Sequence, residues 1–176
     1  MKKIIALGGS NSKESINKQL AVYAAEQVED SETIVTDLNE FKLPLYGIDL
    51  EKEVGIPREA IKLNAIIEEA DGLVISMAEH NGSYSAAFKN TIDWLSRISQ
   101  KVWKDKPMLL MATSPGPRGG TTVLNSATVS FPYLGANVVA DFSLPSFYDN
   151  FSEDGLKNEE LNSVLNQKIK LFQEAI

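Results

Sequence analysis

At 176 residues, with 24 acidic against 17 basic side chains and a net charge of −7, the chain has the length of one domain. It lacks the cationic excess on which nucleic-acid binding draws. Hydrophobic residues make up 43% and charged residues 23%, a globular balance that excludes a disordered or fibrous class. The absence of cysteine removes disulfides, thiolate nucleophiles, zinc–thiolate sites and cysteine-ligated iron–sulfur clusters together.

The first strand is expected at Lys3 to Leu7, an apolar run that Gly8 and Gly9 stop. No signal-peptide core follows Lys2 and Lys3, and no apolar run reaches membrane-spanning length, so the expectation is a cytoplasmic protein with no membrane partner. The polar segment Ser10 to Ser15 leads into a helix marked by Ile16, Leu20, Tyr23, Ala24 and Val28. Hydroxyl and amide donors thus arrive at a helix N-terminus, where free N–H groups and the helix dipole favour an anion by about 0.3–1 kcal/mol per charge interaction. Phosphate suits such a place, although Ser15 equally suits a plain helix cap. The loop matches neither G-x-G-x-x-G nor G-x-x-x-x-G-K-[ST], which disfavours a dinucleotide fingerprint and an NTPase phosphate loop.

Thr33 to Asp37 reads as the second strand, and Phe41 to Pro57 as a long loop without periodicity. Arg58 to Glu69 returns to helical spacing. A third strand at Leu73 to Ile75, opened by Asp71 and Gly72, has the continuous apolar character of a strand buried on both faces. Glu79, His80, Asn81 and Gly82 follow it, with little to bury and much to hydrogen-bond. Ser83 is positioned to cap the next helix, whose core face is Ala87, Phe88, Ile92, Leu95 and Ile98. The turn is either a ligand site or simply a well-capped connection. Met108 to Thr113 is the fourth strand; the loop from Ser114 to Gly120 opens a further helix near Thr121, its glycines serving turn geometry or close approach. Val138 to Phe142 is the fifth strand, and Leu161, Val164, Leu165, Ile169 and Phe172 mark a closing helix.

Five strands alternating with five helical patterns predict one α/β domain over residues 1–176, a doubly wound, mostly parallel five-stranded sheet with helices on both faces, for which the expected order is the 2-1-3-4-5 of one common doubly wound class. Ligands bind where strands end beside such a sheet's switch point, which is where the loops after strands one, three and four converge.

Three separated motifs resemble the flavodoxin-like NAD(P)H-dependent FMN reductases, which include quinone, chromate and azo-compound reductases. Gly9, Ser10, Ser15 and Asn17 match a G-S-x-R-x-x-S-x-N loop. The resemblance implies that Ser10, Ser15 and Asn17, with Ile16 in the same segment, hold the FMN phosphate. Ser12 occupies the arginine position, and Lys13 is the neighbouring cation. Glu79 and Asn81 match a P-E-Y-N turn, with Ala78 for the proline and His80 for the tyrosine; Lys89, Asn90, Ile92, Asp93 and Trp94 match the L-K-N-x-I-D-W helix after it. Residues 78–81 are thereby implied beside the isoalloxazine ring, with His80 a modulator of what stacks there, a proton-transfer group, or a plain structural or surface residue. Ser114, Gly116, Gly119 and Gly120 match an S-x-G-x-x-G-G loop at the flavin's pyrimidine end. Arg118 adds a cation that could meet the flavin, the nicotinamide phosphates or solvent.

The resemblance implies an FMN-dependent oxidoreductase that carries electrons from NADPH or NADH to a quinone, flavin, azo or nitro compound, or metal ion. The flavin carries the chemistry, with neither a catalytic protein residue nor a metal ligand required. The alternative is a flavodoxin-like electron carrier or a non-catalytic FMN-binding module. The family's habit of forming homodimers or homotetramers gives Trp94 and Trp103 two readings, core aromatics or an association surface.

Overall fold

A computed structural model describes residues 1–176. Five strands, β1 (Lys2–Gly8), β2 (Ser31–Thr36), β3 (Gly72–Met77), β4 (Pro107–Thr113) and β5 (Asn137–Leu144), form one parallel sheet in the order β2-β1-β3-β4-β5. This is the expected order, and it carries every strand's C-terminal end to one rim. The central strands β3 and β4 are buried almost throughout, because helices cover both faces.

Alternation along β1 shows how the core divides. Ile5 and Leu7 face one layer with Leu63, Phe88 and Trp103, while Ile4 and Ala6 face the other with Leu20, Leu165 and Phe172. The first layer is built by α3 (Arg58–Glu69), α4 (Ala86–Ile98) and α5 (Thr121–Ser130); the second by α1 (Ile16–Ala25) and α7 (Glu159–Ala175). Each fully buried Leu, Ile or Phe contributes roughly 1.5–3 kcal/mol of transfer free energy.

Three expectations require correction. The segment 41–57 contains a helix, α2 (Ile48–Val54), that buries no residue and therefore carries no apolar periodicity. The segment is also pinned to α4 rather than free. Asn90 accepts the Tyr46 N–H at 2.8 Å and donates to the Pro44 carbonyl at 3.0 Å, while the Trp94 indole N–H donates to the same carbonyl at 2.7 Å.

The helix count is higher than five as well. Besides α2, a short helix α6 (Phe147–Asn150) follows β5, and a small antiparallel hairpin, β6 (Phe151–Ser152) with β7 (Gly155–Leu156), precedes α7.

Ser85, not Ser83, caps α4, its hydroxyl oxygen accepting the Phe88 N–H at 3.2 Å. Ser83 instead closes a tight turn. Its carbonyl accepts the His80 N–H at 2.9 Å, and its N–H donates to the His80 carbonyl at 3.0 Å. Asn81 and Gly82 between them have φ of 53° and 72°, the left-handed pair of a type I′ turn.

Trp94 and Trp103 are both core residues, the first of the two readings the sequence offered. Trp103 lies 5.0 Å from Phe131 and 6.3 Å from Phe88, ring centre to ring centre. Trp94 receives the Tyr46 ring edge-on at 5.0 Å.

Candidate functional site

The loop after β1 is tethered before it reaches α1. The Gly9 N–H donates to the Ser76 carbonyl at 2.7 Å, and the Gly9 carbonyl accepts the Ser85 hydroxyl at 2.7 Å, fixing the loop to β3 and to the start of α4. Ser10 accepts the Ser12 N–H at 3.1 Å, and Ser15 caps α1 by accepting the Lys18 N–H at 3.1 Å. Both hydroxyls keep their own hydrogen to donate. The Ile16 and Asn17 N–H groups, first and second in α1, have no acceptor within the chain.

Asn17 is oriented inward by its side chain. Its amide oxygen accepts the Ser76 hydroxyl at 2.7 Å and the Thr113 N–H at 3.0 Å, while its amide nitrogen donates to the Thr113 carbonyl at 3.2 Å. All three residues are buried. What it leaves free is its main-chain N–H, and its amide ties α1 to β3 and β4.

In the second loop, Ala78 is buried and Glu79 reaches across to α5, where its carboxylate accepts the Val123 N–H at 2.9 Å. The fixed backbone of residues 80–83 holds the His80 imidazole exposed at the rim. In the third loop, Gly119 has φ of 56°, and a Cβ there would lie 2.5 Å from the Ser143 hydroxyl and 2.9 Å from the Leu144 backbone. Only glycine fits that left-handed, crowded position. Gly120 is the left-handed N-cap of α5, and the Gly116 carbonyl accepts the Ser146 N–H at 2.9 Å.

These loops enclose a crevice of about 210 Å³ at the C-terminal rim of the sheet. Ser10, Ser12, Glu14, Ser15, Ile16 and Asn17 form one wall, and Ala78, Glu79 and His80 another. Thr113, Ser114, Pro115 and Tyr148 complete it. Nine of the fourteen residues singled out in the sequence thus meet there. Gly9, Asn81, Gly116, Gly119 and Gly120 do not line the crevice but shape the loops that do. Glu14 and Pro115 occupy unspecified positions of the first and third motifs, while Thr113 and Tyr148 lie outside all three. The only signals for these four were the places of Glu14 and Pro115 inside the first and third loops.

No Lys or Arg lines the crevice. Lys13 is exposed and stands outside it, and Arg118 is exposed with its guanidinium donating to the Thr122 hydroxyl at 2.6 Å. Lys18, one turn into α1, is bound to Asp37 at 2.5 Å. Burial raises the Asp37 pKa, but hydrogen bonds from Lys18 and Asn39 outweigh it and hold the carboxyl below its usual range. The donor set is nonetheless suited to a phosphate: two free N–H groups at the positive end of a ten-residue helix and three serine hydroxyls.

A parallel sheet of this order, with an anion-seeking first loop at its switch point, defines the flavodoxin-like class. Within it, the chain belongs to the NADPH-dependent FMN reductase family, whose model matches residues 2–149. It is 34% identical over 118 residues to a quinone reductase of Escherichia coli K12, the match covering 67% of this chain and 63% of that protein. It thus spans under two thirds of that relative's length. Against an NADPH azoreductase of a Bacillus species it is 32% identical over 139 residues, covering 78% of this chain and 72% of that one. Among solved structures, the flavoenzyme NAD(P)H:(acceptor) oxidoreductase FerB of Paracoccus denitrificans is similar with a TM-score of 0.78 and 26% identity, over 99% of this chain and 97% of that one. No helix is long and apolar enough to cross a membrane.

Proposed function

We propose that the protein is an FMN-dependent oxidoreductase that draws electrons from NADPH or NADH and passes them to a small acceptor, such as a quinone, free flavin, an azo or nitro compound, or a metal ion. The observation that carries this reading is the pair of free N–H groups of Ile16 and Asn17 in the crevice where three loops of a family member converge. Bound FMN would supply the acceptance and onward delivery of a hydride equivalent, and the chain's own residues would bind and orient it. The α1 N–H groups and the hydroxyls of Ser10, Ser12 and Ser15 would hold its phosphate. Ala78 and the rigid turn at residues 80–83 give the ring a fixed edge to lie against, with His80 placed to adjust what stacks there. Ser114 and the loop shaped by Gly116, Gly119 and Gly120 would meet the far end of the ring.

The reading extends to assembly and setting. A homodimer or homotetramer is supported by exposed apolar side chains on one loop and helix, Leu45, Ile48 and Val54, the first 83% exposed. Treating residues 1–176 as one domain is supported by two core layers that share a single sheet. A cytoplasmic setting is supported by the demand for a reduced nicotinamide, and the net charge of −7 supports a partner other than nucleic acid.

The test is reconstitution with FMN followed by anaerobic mixing with each nicotinamide in a stopped-flow instrument. Rapid bleaching of the flavin is the expected result. Flavin that binds but stays yellow would identify a carrier or binding module instead. Ser10→Ala should raise the FMN dissociation constant several-fold, about 1.4 kcal/mol of lost interaction giving tenfold.

A further inference from the structure

Tyr148 stands at the crevice without any motif having pointed to it. Its neighbour Phe147 is buried and stacked on Phe151 at 4.8 Å, which anchors the backbone, whereas the Tyr148 side chain is left 66% exposed. The segment is bolted to the third loop: the Ser146 N–H donates to the Gly116 carbonyl at 2.9 Å and the Phe147 N–H to the Ser114 carbonyl at 3.0 Å. The Tyr148 carbonyl accepts the Lys157 ammonium at 3.1 Å. An exposed aromatic on so fixed a backbone loses little freedom when it meets a ligand.

Its position selects one end of the crevice. The Asn17 side chain bonds both the N–H and the carbonyl of Thr113, and the next residue, Ser114, holds Phe147. Tyr148 also lines the same crevice of about 210 Å³ as Ser15, Ile16 and Asn17 at the first turn of α1, the end with the free N–H groups. That end has no cation among its lining residues and includes the Glu14 carboxylate, so an anion there depends on neutral donors. A phenol O–H is such a donor.

We infer that Tyr148 is a ligand-binding residue of this site, its phenol O–H donating to the phosphate of the bound flavin nucleotide. The inference rests on the FMN reading above and assigns a donor beyond the three loops. It makes the preference for FMN over riboflavin depend on a residue that follows the fifth strand.

The test compares binding of FMN and riboflavin to the wild-type chain, Tyr148→Phe and Tyr148→Leu by titration of flavin fluorescence and by calorimetry. Wild-type protein that binds neither flavin would overturn the FMN reading itself. Given wild-type binding, Tyr148→Phe should weaken FMN about tenfold, the loss of one hydrogen bond to a charged group, and shift riboflavin less than twofold. Unchanged FMN affinity in Tyr148→Phe, or equal weakening of FMN and riboflavin, would overturn the inference while leaving the FMN reading intact. The exposed side chain makes both variants foldable, and Tyr148→Leu should repeat the FMN-selective loss.

Discussion

Glu79 and Val123 are joined across 44 positions of sequence: the carboxylate at the end of the third strand accepts the Val123 N–H at 2.9 Å and so closes the first turn of α5. One side chain from the start of the second loop caps a helix that begins at the third. The two loops are consequently held in a fixed relation at the crevice.

Removing that carboxylate should cost stability as the loss of a helix cap does. Glu79→Ala is expected to lower stability by about 1 kcal/mol, since the α5 N–H loses its acceptor and the dipole its counter-charge. Glu79→Gln retains an acceptor and should lose only a few tenths of that order. Urea midpoints of the two variants check the difference, and equal losses would refute the capping role.

Asn17 should matter more to stability than to phosphate contact. Asn17→Ala strands the Ser76 hydroxyl and both main-chain groups of Thr113 in a buried setting, at a cost of about 1–3 kcal/mol for each group left unpaired. Denaturant unfolding should show a loss on the order of 3 kcal/mol or more. A loss confined to flavin affinity, with the unfolding midpoint unmoved, would contradict this.

The Lys18–Asp37 pair gives stability a defined response to acid. Burial raises the Asp37 pKa, but the bonds from Lys18 and Asn39 outweigh it, so the folded-state value lies below the unfolded one. A depressed carboxyl contributes stability that is present above its unfolded pKa and lost as pH falls through the folded value. Wild-type stability should therefore drop below about pH 4, and Asp37→Asn should flatten that part of the curve. Thermal unfolding from pH 7 to pH 2.5 measures it, with an identical acid limb in both proteins counting against the pair.

Trp94 should govern the mobility of the segment before α2. Trp94→Phe keeps most of the buried ring but loses the 2.7 Å bond to the Pro44 carbonyl, a cost of about 1 kcal/mol. Hydrogen exchange at residues 43–48 should accelerate while the central strands stay protected. Uniform acceleration across the sheet would show that Trp94 supports the core alone.

The strands were legible because burial on both faces leaves continuous apolar runs, as in Leu73 to Ile75, and the long helices because Phe88, Ile92 and Leu95 repeat at the helical period. Their parallel direction also followed from the alternation of the elements, whereas the order 2-1-3-4-5 was that of the flavodoxin-like class. What escaped notice has local physical causes. Helix α2 buries nothing, so no periodicity marked it, and β6 and β7 are two residues each. Ser83 and Ser85 are equivalent as sequence, and only the closed turn at residues 80–83 decides which is free to cap. Tyr148 had no signal, since an aromatic directly beside another reads as core until the backbone shows Phe147 inward and Tyr148 outward.

The bonds from Asn17 to Ser76 and Thr113 reach beyond stability. They settle the direction of the helix's opening amides while the chain folds, so a guest arriving later finds its receptor already assembled. Recognition then proceeds as docking onto a rigid template, and differences in residence time between related guests will reflect how well each fits rather than how far the protein must rearrange.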